Sequence, residues 1–169
     1  MVTTPLPTYD QVLELPAAIK RSVPPEYLDE NDHMNIGRYL EVASHALWDV
    51  TTTVGMGQAY IEERQLSLFT AEHHLRYFSE LRLAEEFSVH VRLLERSDKG
   101  LHSITFLVDR SRRIVSFTCE ATLLHVDMAS RRSVPYPDDI MTGLDDLIAE
   151  HGVLRWPAPI SGAMGVRRR

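Results

Sequence analysis

The stretch from Tyr27 to Val50, YLDENDHMNIGRYLEVASHALWDV, constrains this chain more than any other. Its second half sets Ile36, Tyr39, Leu40, Ala43, Ala46, Leu47 and Val50 at helical spacing, an apolar stripe that a helix must bury. Its first half crowds Asp29, Glu30, Asn31, Asp32, His33 and Asn35 against the amino end of that helix. First-turn N–H groups there lack intrahelical partners and carry partial positive charge, so they can hold a developing oxyanion. A carboxylate beside such donors is the minimum equipment for attacking an acyl group.

A buried helix needs a layer to pack against, and the period of two that begins at Leu66 supplies one. Phe69, Ala71, His73, Leu75 and Tyr77 share one predicted face, with Thr70, Glu72, His74 and Arg76 on the other. Phe87, Val89, Val91 and Leu93 alternate with Ser88, His90 and Arg92, which predicts a half-buried strand. After a turn at Ser97–Gly100, Ile104, Phe106 and Val108 mark the next strand. Val115, Phe117, Cys119, Ala121 and Leu123 mark the last, which ends near Asp127. Upstream, Ala17–Val23 reads as a first strand stopped by Pro24 and Pro25, and the residues before Pro16 read as a loose arm.

The central helix is expected to fade at the β-branched run Thr51–Thr53, with Tyr60–Arg64 a short turn or helical step. Downstream, Asp138 is placed to cap a final helix that buries Ile140, Met141, Leu144, Leu147 and Ile148 and stops at Gly152. Val153–Arg169 reads as an extended, solvated tail ending in three arginines. The 169 residues suit a single domain, with its core at about 17–127, a helix at 138–152 and a tail at 153–169. One helix on a mostly antiparallel sheet is an α+β architecture. The open edge and the outer face of that sheet predict dimerisation.

A net charge of -6 argues against a nucleic-acid surface. Cys119 is the sole cysteine, which fits a reducing compartment. No apolar run reaches the roughly 18–20 residues of a membrane span. The first residues lack the basic-then-apolar pattern of a signal peptide. A cytoplasmic protein is expected.

The strand–helix–four-strand order, with Asp29, His33, Met34, Asn35, Tyr39 and Leu40 at their spacing, resembles the hotdog-fold thioesterases of the hydroxybenzoyl-CoA thioesterase branch. The family signature is Asp-x-x-Gly-His-(Val/Met)-Asn followed by the helix and Tyr-Leu. A looser likeness runs through His74–Leu83, the family's second strand. The resemblance implies a hotdog fold: an antiparallel sheet wrapped around a central helix, here with an added C-terminal helix. It also implies homodimers or dimers of dimers with shared active sites, an acyl-CoA substrate, Asp29 as nucleophile or general base, and the Ile36 backbone N–H as the oxyanion donor. The chain departs from the pattern at Asp32, where the family has glycine, at Ile36, where many members have a second asparagine, and at Tyr27, where several have an aspartate. Aspartate tolerates positive φ better than most residues, so the loop can survive the first change.

Against each sharp reading stands a plainer one. Asp29 also suits a turn that bonds its own backbone, and Asp32 and Asn35 suit helix caps. His33 suits a clamp on the loop. Asp32, His33, Asn35, Tyr39 and Glu80 are candidate substrate-binding or orienting residues, with Phe69, Tyr77 and Phe78 as candidate pocket walls. His73 and His74, adjacent on a strand, face opposite ways, and no ligand spacing supports a metal site, so neither metal nor cofactor is expected. Cys119 lies on an apolar strand face, and no Gly-x-Ser-x-Gly elbow is present. The expectation is an acyl-CoA thioesterase. Its rivals are a hotdog enoyl-CoA hydratase or dehydratase and a non-catalytic acyl-CoA-binding dimer.

Overall fold

A computed structural model of the protein describes residues 5–166. The elements run α1 (Tyr9–Val12), β1 (Ala17–Ser22), a 3-10 turn (Pro25–Tyr27), α2 (Ile36–Thr53), α3 (Gln58–Arg64), β2 (Leu66–Tyr77), β3 (Glu86–Arg96), β4 (Gly100–Asp109), β5 (Ile114–Asp127), β6 (Arg132–Ser133) and α4 (Asp138–Gly152). The antiparallel sheet has the order β1-β3-β4-β5-β2, with β6 paired to β5. It curls around α2, whose Tyr39, Val42, Ala43, Ala46 and Leu47 are buried in one cluster with Val89, Val91, Phe117 and Cys119. This is the hotdog fold with an added C-terminal helix.

The helix does not fade at its threonines. Thr51 and Thr52 donate their hydroxyls to the Trp48 carbonyl at 3.1 and 2.8 Å, and Thr53 donates to Val50 at 2.7 Å. Bonding back one turn lets polar β-branched residues finish a helix that their propensity disfavours. The final helix begins at Asp138 with Pro137 before it, so Asp138 occupies the first turn rather than the cap.

The period-two reading of β2 fails in its middle. A bulge between Thr70 and Glu72 inserts one extra residue against β5, so the facing parity changes there. Thr70 and His73 therefore line the same cavity. Phe69 is exposed on the other side, with the Arg131 guanidinium 5.1 Å over its ring.

The outer face of the sheet is not open. Tyr9, Val12 and Leu15 from the N-terminal arm and Trp156 from the tail bury Ile104, Phe106, Val108 and Val115 in a second apolar cluster. The edge of the Trp156 ring meets Phe106 at 5.6 Å. The Trp156 carbonyl accepts Arg92 Nη1 at 2.8 Å. The arm is thus not loose, and β3, expected to be half-buried, is buried on both faces from Phe87 to Leu93. The terminal arginine triplet lies outside the described residues. No helix among the described residues is long and apolar enough to cross a membrane.

Candidate active site

The polar cluster folds as a small hairpin at the tip of α2. The Asn35 N–H donates to the Tyr27 carbonyl at 2.8 Å, Leu28 pairs with Met34, and the Asp29 N–H donates to the His33 carbonyl at 3.0 Å. The turn closes when the Asp32 N–H reaches the Asp29 carbonyl at 3.1 Å. Asp32 takes φ 59, a left-handed conformation that glycine adopts freely and aspartate tolerates better than most residues. Its backbone suits the turn, and its side chain is exposed.

This ladder fixes Asp29. Its side chain is 10% exposed, and Oδ1 accepts the Asn31 N–H at 2.9 Å. Oδ2 has no hydrogen-bond partner among the described residues. His33 Nδ1 stands 3.5 Å from Asp29 Oδ1, buried and without a hydrogen bond among the described residues. The carboxylate thus serves its turn with one oxygen and keeps the other free.

Helix α2 begins immediately beyond. Asn35 caps it, its Oδ1 taking the Gly37 N–H at 2.9 Å, and the Arg38 N–H reaches the Asn35 carbonyl. The Ile36 N–H has no acceptor among the described residues. It is the first-turn donor left over after the cap is satisfied. An open groove of about 440 Å³ lies at this tip, lined by Glu26, Leu28, Asn35, Gly37, Arg38 and Glu41. Asp29 does not line it, although its neighbour Leu28 does.

A second segment braces the hairpin. The Met34 N–H donates to the Leu81 carbonyl at 2.7 Å, and His33 pairs with Arg82. Glu80 is therefore near the hairpin, with its carboxylate held by Arg82 at 2.7 Å from Nε. Tyr39 faces the core: it is buried, its hydroxyl accepts the Leu81 N–H at 2.9 Å, and burial pushes its pKa up to about 12. Tyr77 donates to the Ile36 carbonyl at 3.1 Å and packs on Tyr39 and Phe117. Phe78 is exposed beneath the Arg76 guanidinium.

Further along α2 lies a cavity of about 150 Å³, between the helix, α3, β2 and the sheet. It is not legible in the sequence, because Ser44, Tyr60, Thr70 and Ala121 are single lining residues in unlike segments. Tyr60 Oη lies 2.7 Å from His125 Nε2, and His125 Nδ1 lies 2.9 Å from the Val134 carbonyl. Cys119 lines this cavity, but burial raises its thiol pKa to about 12, which leaves it protonated and unreactive. Among the described residues no three His, Cys, Asp or Glu side chains are arranged to hold a metal ion.

A curled sheet around a helix, with a carboxylate-bearing hairpin at that helix's tip, defines the class. The chain belongs to the thioesterase-like superfamily, whose family profile matches residues 23–144. The betainyl-CoA thioesterase of Pseudomonas aeruginosa is 28% identical over 142 residues, which cover 84% of this chain and 89% of that protein. The L-carnitine dehydrogenase/betainyl-CoA thioesterase of Rhizobium meliloti is 30% identical over 142 residues. This chain spans only 28% of the length of that protein. Among solved structures, a hypothetical protein of Staphylococcus aureus in complex with CoA superposes with a TM-score of 0.80 and 23% identity, covering 88% of this chain and 94% of that one. A 1,4-dihydroxy-2-naphthoyl-CoA thioesterase from Synechocystis superposes with a TM-score of 0.68 and 12% identity, covering 76% and 95%. At such identities the likeness speaks to the fold.

Proposed function

We propose that this protein hydrolyses an acyl-CoA thioester to a free acid and coenzyme A. The observation that carries the reading is a mostly buried carboxylate, with one free oxygen, on a braced hairpin that leads directly into a helix whose first amide has no acceptor among the described residues. The thioester carbonyl oxygen accepts the Ile36 N–H. Asp29 Oδ2 either attacks the carbonyl carbon, breaking the C–S bond and releasing the CoA thiolate to leave an anhydride that water opens, or deprotonates a water that attacks the same carbon and displaces the thiolate. In both routes the negative charge on oxygen develops at the positive end of α2.

The other candidates support that chemistry. Asn35 caps the helix and so frees Ile36 for substrate. Asp32 provides the left-handed turn, and His33 packs beside Asp29 as a clamp. Glu80, held by Arg82, orients substrate from the bracing segment, and Tyr39 positions that segment from the core. The working unit is one domain in a cytoplasmic homodimer or dimer of dimers. The free edge of β2 is the natural place for two copies to join.

A thiol-trapping assay over a panel of acyl-CoA esters, betainyl-CoA included, tests the reading. Thiol release above the uncatalysed rate with at least one ester is expected. Loss of enoyl-CoA absorbance with no thiol release from any ester overturns it in favour of a hydratase. Thermal stabilisation by acyl-CoA with no turnover favours a binding protein.

A further inference from the structure

The cavity beyond the helix tip is walled by α2, α3, β2 and β5. Its mouth is formed by Ser44, Trp48 and Thr70, all exposed, and its floor by Cys119, Ala121 and Leu123 of β5. A cavity of about 150 Å³ is the size that holds a benzene-sized apolar guest. The lining contains no Asp, Glu, Lys or Arg. Its titratable members are uncharged near neutral pH. Burial lowers the His73 pKa and raises Tyr60 and Cys119 to about 12.

A cation entering this space would lose its water without meeting a counter-charge. Aromatic faces offer little in exchange. The Tyr60 ring already carries the Arg64 guanidinium 5.3 Å from its centroid. Trp48, the other large aromatic side chain of the lining, stands exposed at the mouth, where a cation beside it keeps part of its water.

The cavity lies too far from the tip of its own helix for a short acyl chain to reach. Ala43, the lining residue of α2 nearest the tip, is seven residues beyond Ile36, about 10 Å at the helical rise. The proposed dimer closes the gap. Twofold pairing of the free β2 edges runs the strand antiparallel to its copy, so the Tyr77 end of one meets the Leu66 end of the other. Tyr77 marks the helix tip through its bond to the Ile36 carbonyl, while Ser67, Leu68 and Thr70 line the cavity. With the twofold axis near the middle of β2, the cavity of one subunit would stand beside the helix tip of its partner.

We propose that this cavity is the acyl subsite and that it selects an uncharged acyl group of about six carbons, aliphatic or aromatic, over a quaternary ammonium acid such as betaine. The inference rests on the thioesterase reading above. It sets this chain apart from the relatives whose names carry betainyl-CoA.

Two measurements on the full-length protein test it. First, kcat/KM is compared for acetyl-, hexanoyl-, benzoyl- and betainyl-CoA in the wild type, in Ala121→Leu, which fills the floor, and in Ser44→Leu, which narrows the mouth from an exposed helix position. Hexanoyl- or benzoyl-CoA is expected to exceed betainyl-CoA at least tenfold. The hexanoyl-to-acetyl ratio is expected to fall at least tenfold in either variant. Equal or better turnover of betainyl-CoA, or an unchanged ratio in both variants, overturns the proposal. Second, thermal unfolding is followed with benzene and with tetramethylammonium as probes. A rise in Tm with benzene alone, lost in Ala121→Leu, is expected; a rise with tetramethylammonium alone, or with neither, overturns it. If no ester is hydrolysed but benzene still stabilises, the thioesterase reading fails and the cavity assignment does not.

Discussion

The hydroxyl of Tyr39, on the buried face of the central helix, accepts the backbone N–H of Leu81 at 2.9 Å. The Leu81 carbonyl in turn accepts the Met34 N–H at 2.7 Å, inside the hairpin that carries Asp29. One phenol therefore ties the helix to the segment that braces the candidate nucleophile. Tyr39→Phe leaves the Leu81 N–H buried without a partner, which costs about 1–3 kcal/mol. The expected outcome is a lower denaturation midpoint and a kcat reduced more than KM is raised, because positioning rather than binding is lost.

Asp32 holds φ 59 in the turn of the same hairpin. Asp32→Gly is expected to keep activity and to leave stability equal or slightly higher, since glycine adopts this conformation without a Cβ clash. Asp32→Val is expected to destabilise by roughly 1–2 kcal/mol, the penalty for a left-handed β-branched residue, with loss of activity. Urea denaturation of the three proteins decides it.

The helix announced itself because Tyr39, Ala43, Ala46 and Leu47 share a period that only a buried helix satisfies. The positive φ at Asp32 was legible only through the family's glycine. Phe69 was misplaced because one bulged residue at the middle of β2 reverses every later side chain, and alternation of apolar residues carries no mark of it. The covering of the outer sheet face was hidden for another reason. Tyr9 and Trp156 are single aromatics in proline-broken segments with no period, and only the three-dimensional fold brings them onto Phe106.

Trp156 anchors that covering. Trp156→Ala is expected to cost about 3–5 kcal/mol through the cavity it leaves against Phe106 and Arg92. Removal of everything after Gly152 exposes Ile104, Phe106 and Val108, and concentration-dependent association is the expected result. Light scattering at rising protein concentration measures it.

Three of the four histidines buried among the described residues set a pH dependence of stability. Burial lowers the pKa of His90, His125 and His151 below the ordinary value of 6.5. Each neutral ring uses one nitrogen as an acceptor. His151 Nδ1 takes the Leu93 N–H. His125 and His90 each face a backbone carbonyl with Nδ1, which must donate, so Nε2 accepts from Tyr60 and from Ser88. Below pH 6.5 the unfolded chain binds more protons than the folded one, so stability falls as pH drops through the unfolded value. It is fully present above that value. The slope is at most about 1.4 kcal/mol per pH unit for each histidine. Urea midpoints at pH 7.5 and 5.5 are expected to differ in that direction. Replacing His151 with glutamine, an uncharged acceptor, is expected to reduce the difference.

In the proposed reaction the free oxygen of Asp29 performs the chemistry. Asn keeps the oxygen that accepts the Asn31 N–H, so Asp29→Asn preserves the turn while removing the reactive carboxylate. The deciding measurement is single-turnover thiol release from the best ester, by wild type, Asp29→Asn and Asp32→Asn, with unfolding midpoints recorded alongside. The account predicts a loss of roughly 10²–10⁴-fold in Asp29→Asn at unchanged stability, with Asp32→Asn near wild type. Wild-type turnover by Asp29→Asn, or a loss confined to Asp32→Asn, would contradict it.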